Sequence, residues 1–350
     1  METQQLVTVE LMDFFKKRVN DHSSSEMDSS RDYFSKLKNK MMESKYWKRK
    51  GFSMNFEYAG CFEAPNMKPW DVKFSPRSNC VIVNDIGTGR ILVFDATTKH
   101  FKTTLLLPPD VFRPQKLFLE EDYDDQGHDA LLLDYEDDLK NYFFSICKFD
   151  FKQLLENSLR GLQSNVIWTT HCDCPSSMAV WKKSRKLEDR ILVVVSYDDH
   201  TIKTFRAQTG EFIQALESDL PGFTIRHPFG IDISSRDGRM FICQTHPARI
   251  ITMRYEDDKW HIYRLQESDE LKIPRALVFD QVSQHVFVSD RYSKGIQVFN
   301  KEGDFVNTFR LDENGLLNEN QDGLEGICLN DVTGELYLCD WSNRRIIVFK

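Results

Sequence analysis

The chain is defined first by what it lacks. No stretch of its 350 residues approaches the ~18 consecutive apolar residues of a membrane-spanning helix. The opening stretch, Met1–Lys17, contains acidic residues and no apolar core leading to a cleavage site, so it does not read as a secretory signal. No Asn-x-Ser/Thr triplet occurs anywhere. No Ser-His-Asp spacing, phosphate loop or dinucleotide fingerprint appears, and Gly87-Thr88-Gly89 is a turn rather than part of a GxGxxG. Eight cysteines are scattered at 61, 80, 147, 172, 174, 243, 328 and 339, mostly within apolar runs. They read as buried free thiols in a reducing compartment, which makes the cytoplasm the expected location.

What is present is a repeat. Pro274–Arg310 breaks into four short apolar runs, Ala276–Phe279, Val286–Val288, Ile296–Phe299 and Phe305–Phe309, separated by turn formers. Runs of that length, rich in Val, Ile and Phe, predict four antiparallel strands joined by hairpins. The pattern returns from Pro69, Pro175, Pro228 and Gly323, with a weaker copy from Pro114 through Leu131–Asp134. The six copies are spaced 45 to 61 residues apart. Four strands per unit at that period is the signature of a propeller blade. At 350 residues with 41% hydrophobic and 29% charged residues, the chain suits a closed propeller plus an extension.

The last copy reaches Lys350 with three strands, which would leave a raw sheet edge. Asn55–Phe62, ahead of the first copy, matches the fourth-strand pattern of Phe305–Phe309. The expected fold is therefore an all-β, six-bladed β-propeller over residues 53–350, closed by this early strand, since closure hides edges that would template aggregation.

The units resemble NHL repeats. The resemblance rests on the entry Pro228-Phe229-Gly230-Ile231-Asp232, on a central strand ending in Asp, and on a following basic-Ile-x-Val-Phe strand. Asp85 with Arg90–Phe94 and Asp340 with Arg345–Phe349 are the clearest copies, Asp290 is followed by Gly295 where Arg would stand, and Ser196 and Gln244 replace the Asp in two others. WD-type repeats fit worse, because Trp70-Asp71 opens a strand instead of ending one.

Residues 1–52 do not repeat. Val7, Leu11, Phe14 and Phe15, and then Phe34, Leu37 and Met41, lie at helical spacing around the polar linker His22–Ser30. A short α-helical extension is expected, basic at +3, whereas residues 53–350 carry 35 Lys/Arg against 46 Asp/Glu. A basic helix suits anionic lipid or a partner helix. The plainer reading packs its apolar stripe on the propeller wall or on itself.

Three constellations bear on chemistry. His171, Cys172 and Cys174 precede the third copy, and His227 precedes the fourth. Two His and two Cys suit zinc, and the amidating lyase resembles this family in carrying a channel zinc. The other entries supply no matching His, and Cys172 and Cys174 are too close for a zinc knuckle, so loop residues are the plainer reading. Asp122–Asp129 echoes a calcium loop, with Leu133 where the bidentate Glu belongs, and reads as a hairpin between the first two strands of the second copy. Lactone-hydrolysing propellers use a channel calcium, and no such ligand set is assigned here. Asp85, Asp134, Asp290 and Asp340 recur at central-strand ends, which argues for turn formation over catalysis.

The NHL resemblance implies a rigid interaction platform, in its relatives often a substrate selector for ubiquitin transfer beside a zinc-binding RING domain. No RING pattern occurs in this sequence. The implied function is a protein-binding propeller, not an enzyme by itself, that serves degradation as an adaptor or through ubiquitin ligase machinery. No cofactor is expected, with zinc or calcium as the metals of the rival channel-enzyme reading. An RNA-binding propeller is disfavoured by the acidic balance, because phosphate contacts need clustered Lys and Arg. The aromatics Trp70, Trp181, Tyr292 and Trp341 are the candidate partner contacts.

Overall fold

The structure, a computed structural model, describes residues 49–138, 143–184, 186–216, 223–317 and 323–350. Lys50–Lys350 forms one compact unit. The helices expected in the N-terminal extension lie outside the described residues.

The described residues form six four-stranded antiparallel sheets, the blades of a propeller. Blade 1 is β2 (Pro69–Ser75), β3 (Cys80–Asp85), β4 (Arg90–Asp95) and β5 (Phe101–Thr104). Blade 2 is β6 (Leu117–Glu120), β7 (Ala130–Asp138), β8 (Phe143–Asp150) and β9 (Trp168–His171). Blade 3 is β10 (Pro175–Lys182), β11 (Arg190–Ser196), β12 (Thr201–Arg206) and β13 (Phe212–Leu216). Blade 4 is β14 (Pro228–Ile233), β15 (Met240–Thr245), β16 (Ala248–Glu256) and β17 (Lys259–Glu267). Blade 5 is β18 (Pro274–Phe279), β19 (His285–Asp290), β20 (Gly295–Asn300) and β21 (Phe305–Arg310). Blade 6 is β22 (Leu324–Asn330), β23 (Glu335–Asp340) and β24 (Arg345–Phe349), completed by β1 (Tyr58–Glu63).

Burial follows the radius. The second strands β3, β15 and β23 are buried at every position, whereas β13 and β5 are largely exposed at the rim. Both faces of a second strand meet a neighbouring blade, which is why these runs read as continuously apolar. The core is accordingly six apolar layers, one between each adjacent pair of blades. Each fully buried Val, Leu, Ile or Phe in them stabilises the fold by about 1.5–3 kcal/mol. No central core is needed, because every blade covers its two faces with its neighbours.

The early strand closes the ring as the repeat pattern requires. β1 pairs with β24 in the register Cys61↔Ile347 and Phe62↔Ile346. Phe62 is fully buried, with its ring edge-on to Phe94 and Tyr337 at 5.7 and 5.6 Å. Chain upstream of β1 is also tied in: Lys50 N donates to Asp331 O, and Phe52 and Phe56 pack against Phe287.

Blade 2 departs from its siblings. Helix α1 (Phe151–Leu159) follows its third strand, capped by Asp150, whose side chain accepts from Gln153 N. Phe151, Leu154 and Leu155 bury into the layer between blades 1 and 2.

Candidate functional site

The first strands of successive blades touch in a closed circle, β2 to β6, β10, β14, β18, β22 and back to β2. Each of β2, β10, β14, β18 and β22 opens with an irregular register against its second strand, at Pro69/Asp71, Pro175/Ser177, Pro228/Gly230, Pro274/Ala276 and Leu324/Ile327. A bulge leaves a residue unpaired and re-aims its side chain. In blade 2, Leu117 pairs with Leu133 as Asp71 pairs with Asn84, which makes Lys116 the counterpart of Trp70. One residue per blade therefore occupies the same place: Trp70, Lys116, Ser176, Phe229, Arg275 and Glu325.

These side chains meet at the axis. The Lys116 ammonium lies 5.3 Å from the Trp70 ring centroid and 5.0 Å from that of Phe229, although Trp70 and Phe229 belong to opposite blades. The Arg275 guanidinium stands 3.7 Å over Phe229 and 5.2 Å from Trp70. Arg291, from the β19–β20 hairpin, completes the group at 5.6 Å from Trp70. Cations over aromatic faces are attracted by the ring quadrupole, more strongly when desolvated.

The charges are unevenly matched. Glu325 is fully buried and clamped, with Oε2 3.0 Å from Arg275 Nε and Oε1 2.7 Å from Arg291 Nη2. Asp71 is committed to the wall: it accepts from Lys73 Nζ at 2.7 Å and from the Leu117 amide of the next blade at 2.9 Å. Ser176 is likewise satisfied by Val195 O and Pro228 O. Lys116 is 4% exposed, and among the described residues no oxygen bonds its Nζ. Burial holds its pKa below the ordinary lysine value, opposed by attraction to Asp71 and Glu325 and helped by repulsion from Arg275 and Lys73. Three cations face two carboxylates, Glu325 and Asp71, that are already paired, so this ring does not fit the zinc or calcium of a channel enzyme.

The strand-end carboxylates knit one face together. Asp85 accepts from Lys68 N in the entry loop at 2.8 Å and from Gly87 N in its own turn at 3.1 Å. Asp290 accepts from Lys272 N at 2.7 Å, Ile273 N at 3.1 Å, and Tyr292 N and Ser293 N at 3.0 Å. Asp340 holds Asn343 N at 3.1 Å and Arg345 Nε at 2.9 Å. Asp134 accepts from Lys116 N and so fixes the backbone that carries the axial lysine. In blade 4, Gln244 takes the role, accepting from Arg226 N at 2.9 Å. Entry loops and second-to-third-strand hairpins thus share one face around the axial ring.

The remaining sequence candidates separate. Tyr292 is 52% exposed on this face, and Trp341 is half-buried with Lys68 Nζ 5.1 Å from its ring. Trp181 is not available to a partner. It is 6% exposed at the other end of β10, packed against Tyr255 and Trp260 between blades 3 and 4.

Among the described residues, the four His and Cys candidates form no group with metal-ligand spacing. His171 bonds Asp173, and Cys172 lies buried 3.9 Å from Ser196 Oγ with its thiol pushed up to about 11 by burial. The Cys174 thiol is pushed up to about 12, chiefly by burial and then by Asp198. The His227 ring sits 4.3 Å from that of His200 and 5.9 Å from that of His246. Partial burial and these two neighbours hold its pKa down.

The Asp122–Asp129 hairpin also disperses its acids. Asp122 pairs with Arg77 of blade 1, and Asp129 bonds Ser75 there. Among the described residues, the group with metal-ligand spacing is Asp124, His128 and Asp150. His128 Nδ1 is 2.7 Å from Asp124 Oδ2 and 3.8 Å from Asp150 Oδ2. The remaining oxygens bond Gln126 N, His128 N and Gln153 N. This is a satisfied turn-and-cap network whose donors already bond one another.

Sequence reasoning had singled out Trp70 but missed Lys116, Phe229, Arg275 and Glu325. Their signal is positional, as each stands one or two residues before the regularly paired part of its blade's first strand. No protein-family model matches this chain. No curated protein matches it either.

Proposed function

We propose that the chain is a protein-interaction platform of NHL type, binding its partner on the face where entry loops and hairpins surround the axial ring. The observation that carries this reading is a set of three exposed apolar side chains there. Ile86, Phe112 and Tyr292 are 38, 44 and 52% exposed on that face, in blade 1, in the loop entering blade 2 and in blade 5. Exposed apolar side chains on a rigid scaffold around a charged centre suit a protein partner. Support for the NHL type comes from the strand-end Asp column and the ion pair between Asp340, at the end of β23, and Arg345, at the start of β24. The NHL resemblance implies an adaptor role in degradation, with ubiquitin ligase machinery as the partner. Eight free cysteines favour a cytoplasmic setting.

The test is affinity purification with the full-length protein and with the double variant Phe112→Ala, Tyr292→Ala, read by mass spectrometry. A reproducible stoichiometric partner that the double variant loses is expected. Retention of every partner by that variant would overturn the assignment of this face.

A further inference from the structure

We propose that the mouth of the axial ring is a carboxylate-binding site, filled by an acidic side chain of the protein partner. This deepens the platform reading and rests on it. Three cations, Lys116, Arg275 and Arg291, converge from blades 2 and 5 on one place, and the local carboxylates do not balance them. Glu325 is shared by both guanidiniums, while Asp71 is held by Lys73 and backbone amides.

Lys116 carries the argument. Its ammonium is attracted by Asp71 and Glu325 but bonded by neither, and both carboxylates are already held by other cations, so a further anion would complete it. The two aromatic faces of Trp70 and Phe229 add attraction of their own. The position is also imposed by the fold: the Lys116 amide is fixed by Asp134, and the side chain runs to the axis between Trp70 and Phe229.

The chemistry points to a carboxylate. Glu325 shows that this guanidinium pair already holds one, each group meeting a different oxygen. Arg291 retains 27% of its side-chain exposure and Arg275 11%, so both can be reached from the loop-bearing face. Trp70, Phe229 and Tyr197, the last edge-on to Phe229 at 5.7 Å, offer apolar surface to the methylene stem of a glutamate. Phosphate has no such stem, and its second charge would face buried Glu325. A cationic mouth within a disc that carries 35 Lys/Arg against 46 Asp/Glu over residues 53–350 also concentrates attraction at one point.

The test uses full-length protein and a fluorescein-labelled hexapeptide of alternating glutamate and glycine, followed by anisotropy and tryptophan emission. Its glutamine counterpart, glutarate and inorganic phosphate serve as competitors. Saturable one-to-one binding of the glutamate peptide is expected, weakening as salt rises. Lys116→Met and Arg291→Gln should each reduce affinity about tenfold or more, as loss of a buried charge contact does. Lys183→Met, at the opposite end of β10, should leave affinity unchanged, and thermal melts confirm that each variant is folded.

Equal binding of the glutamine peptide would overturn the proposal. So would displacement by phosphate at lower concentration than by glutarate, or unchanged affinity in both Lys116→Met and Arg291→Gln. Partner capture that survives without peptide binding would remove the carboxylate site and leave the platform. Peptide binding without any captured partner would remove the platform reading and, with it, the assignment of the guest to a partner protein.

Discussion

Lys116 brings its ammonium to 5.0 Å from the ring of Phe229, a residue two blades away around the propeller. Such a contact requires both side chains to leave their own sheets and meet at the axis. The bulge at the start of β14 and the Asp134 anchor ahead of β6 provide that departure. Irregularity at the strand entrances is therefore what builds the ring, while the regular parts of the same strands build the walls.

The close approach of first strands makes two glycines irreplaceable. A Cβ on Gly230 would sit 2.8 Å from both Ala276 Cα and Cys243 Sγ, and one on Gly326 would sit 2.6 Å from Asp71 Cα. Backbone of the neighbouring blade cannot yield as a flexible side chain can. Gly230→Ala and Gly326→Ala should each destabilise by about 1–3 kcal/mol, the usual range for overpacking. Urea unfolding checks this, and unchanged midpoints would show that adjacent first strands have slack.

The blades were legible because a strand buried on both faces must be apolar throughout. β3, β15 and β19 announce themselves in this way, and so does the need for a closing strand once β24 stands at an edge. Blade 2 was only partly legible. α1 interrupts it between β8 and β9, and Lys148 and Arg190 share buried Glu120 at 2.7 and 2.9 Å across three strands. No local pattern encodes a cluster assembled from separate strands. The axial ring was hidden for another reason. Alternation along a strand assumes regular pairing, and a bulge breaks it at the residue that matters.

The entering chain should matter to stability from Lys50 onward. Phe52 N donates to Asp280 Oδ2 at 2.8 Å, and Phe56 stacks on Phe309 at 4.4 Å. A protein starting at Lys50 keeps every one of these contacts and serves as the reference. One starting at Tyr58 loses two buried phenylalanines, each of a class whose truncation to alanine costs about 3–5 kcal/mol. One starting at Ala64 also loses β1, exposes the β24 edge and should aggregate. Equal midpoints for the Lys50 and Tyr58 proteins would show that residues 50–57 contribute little, read by urea unfolding and size-exclusion chromatography.

Asp134 should give stability a pH dependence of defined sign. Burial pushes its carboxyl up from 3.8 to about 7, partly offset by the Lys116 amide. Between those values the folded chain keeps a proton that the unfolded chain has released. Its contribution to stability is therefore complete below the lower value, declines as pH rises and is lost above about 7. Asp134→Asn cannot titrate, so its unfolding midpoint should fall less than that of the unsubstituted protein as pH is raised across this window. Identical slopes would mean that Asp134 ionises normally in the fold.

Lys116→Met separates a structural lysine from a functional one. If the ammonium were present to hold the blades together through its two aromatic contacts, removing the charge should lower stability. If it is a buried charge whose nearby carboxylates are held by other cations, a methionine of similar length restores dry contact with Trp70 and Phe229 and removes the desolvation penalty. Replacement of buried ionic groups by apolar ones is often neutral or stabilising by about 1–4 kcal/mol. An unchanged or raised melting temperature is therefore expected, together with a fall in affinity for the acidic peptide. A fall in both would place Lys116 among the supports of the ring and leave Arg275 and Arg291 as its remaining anion contacts.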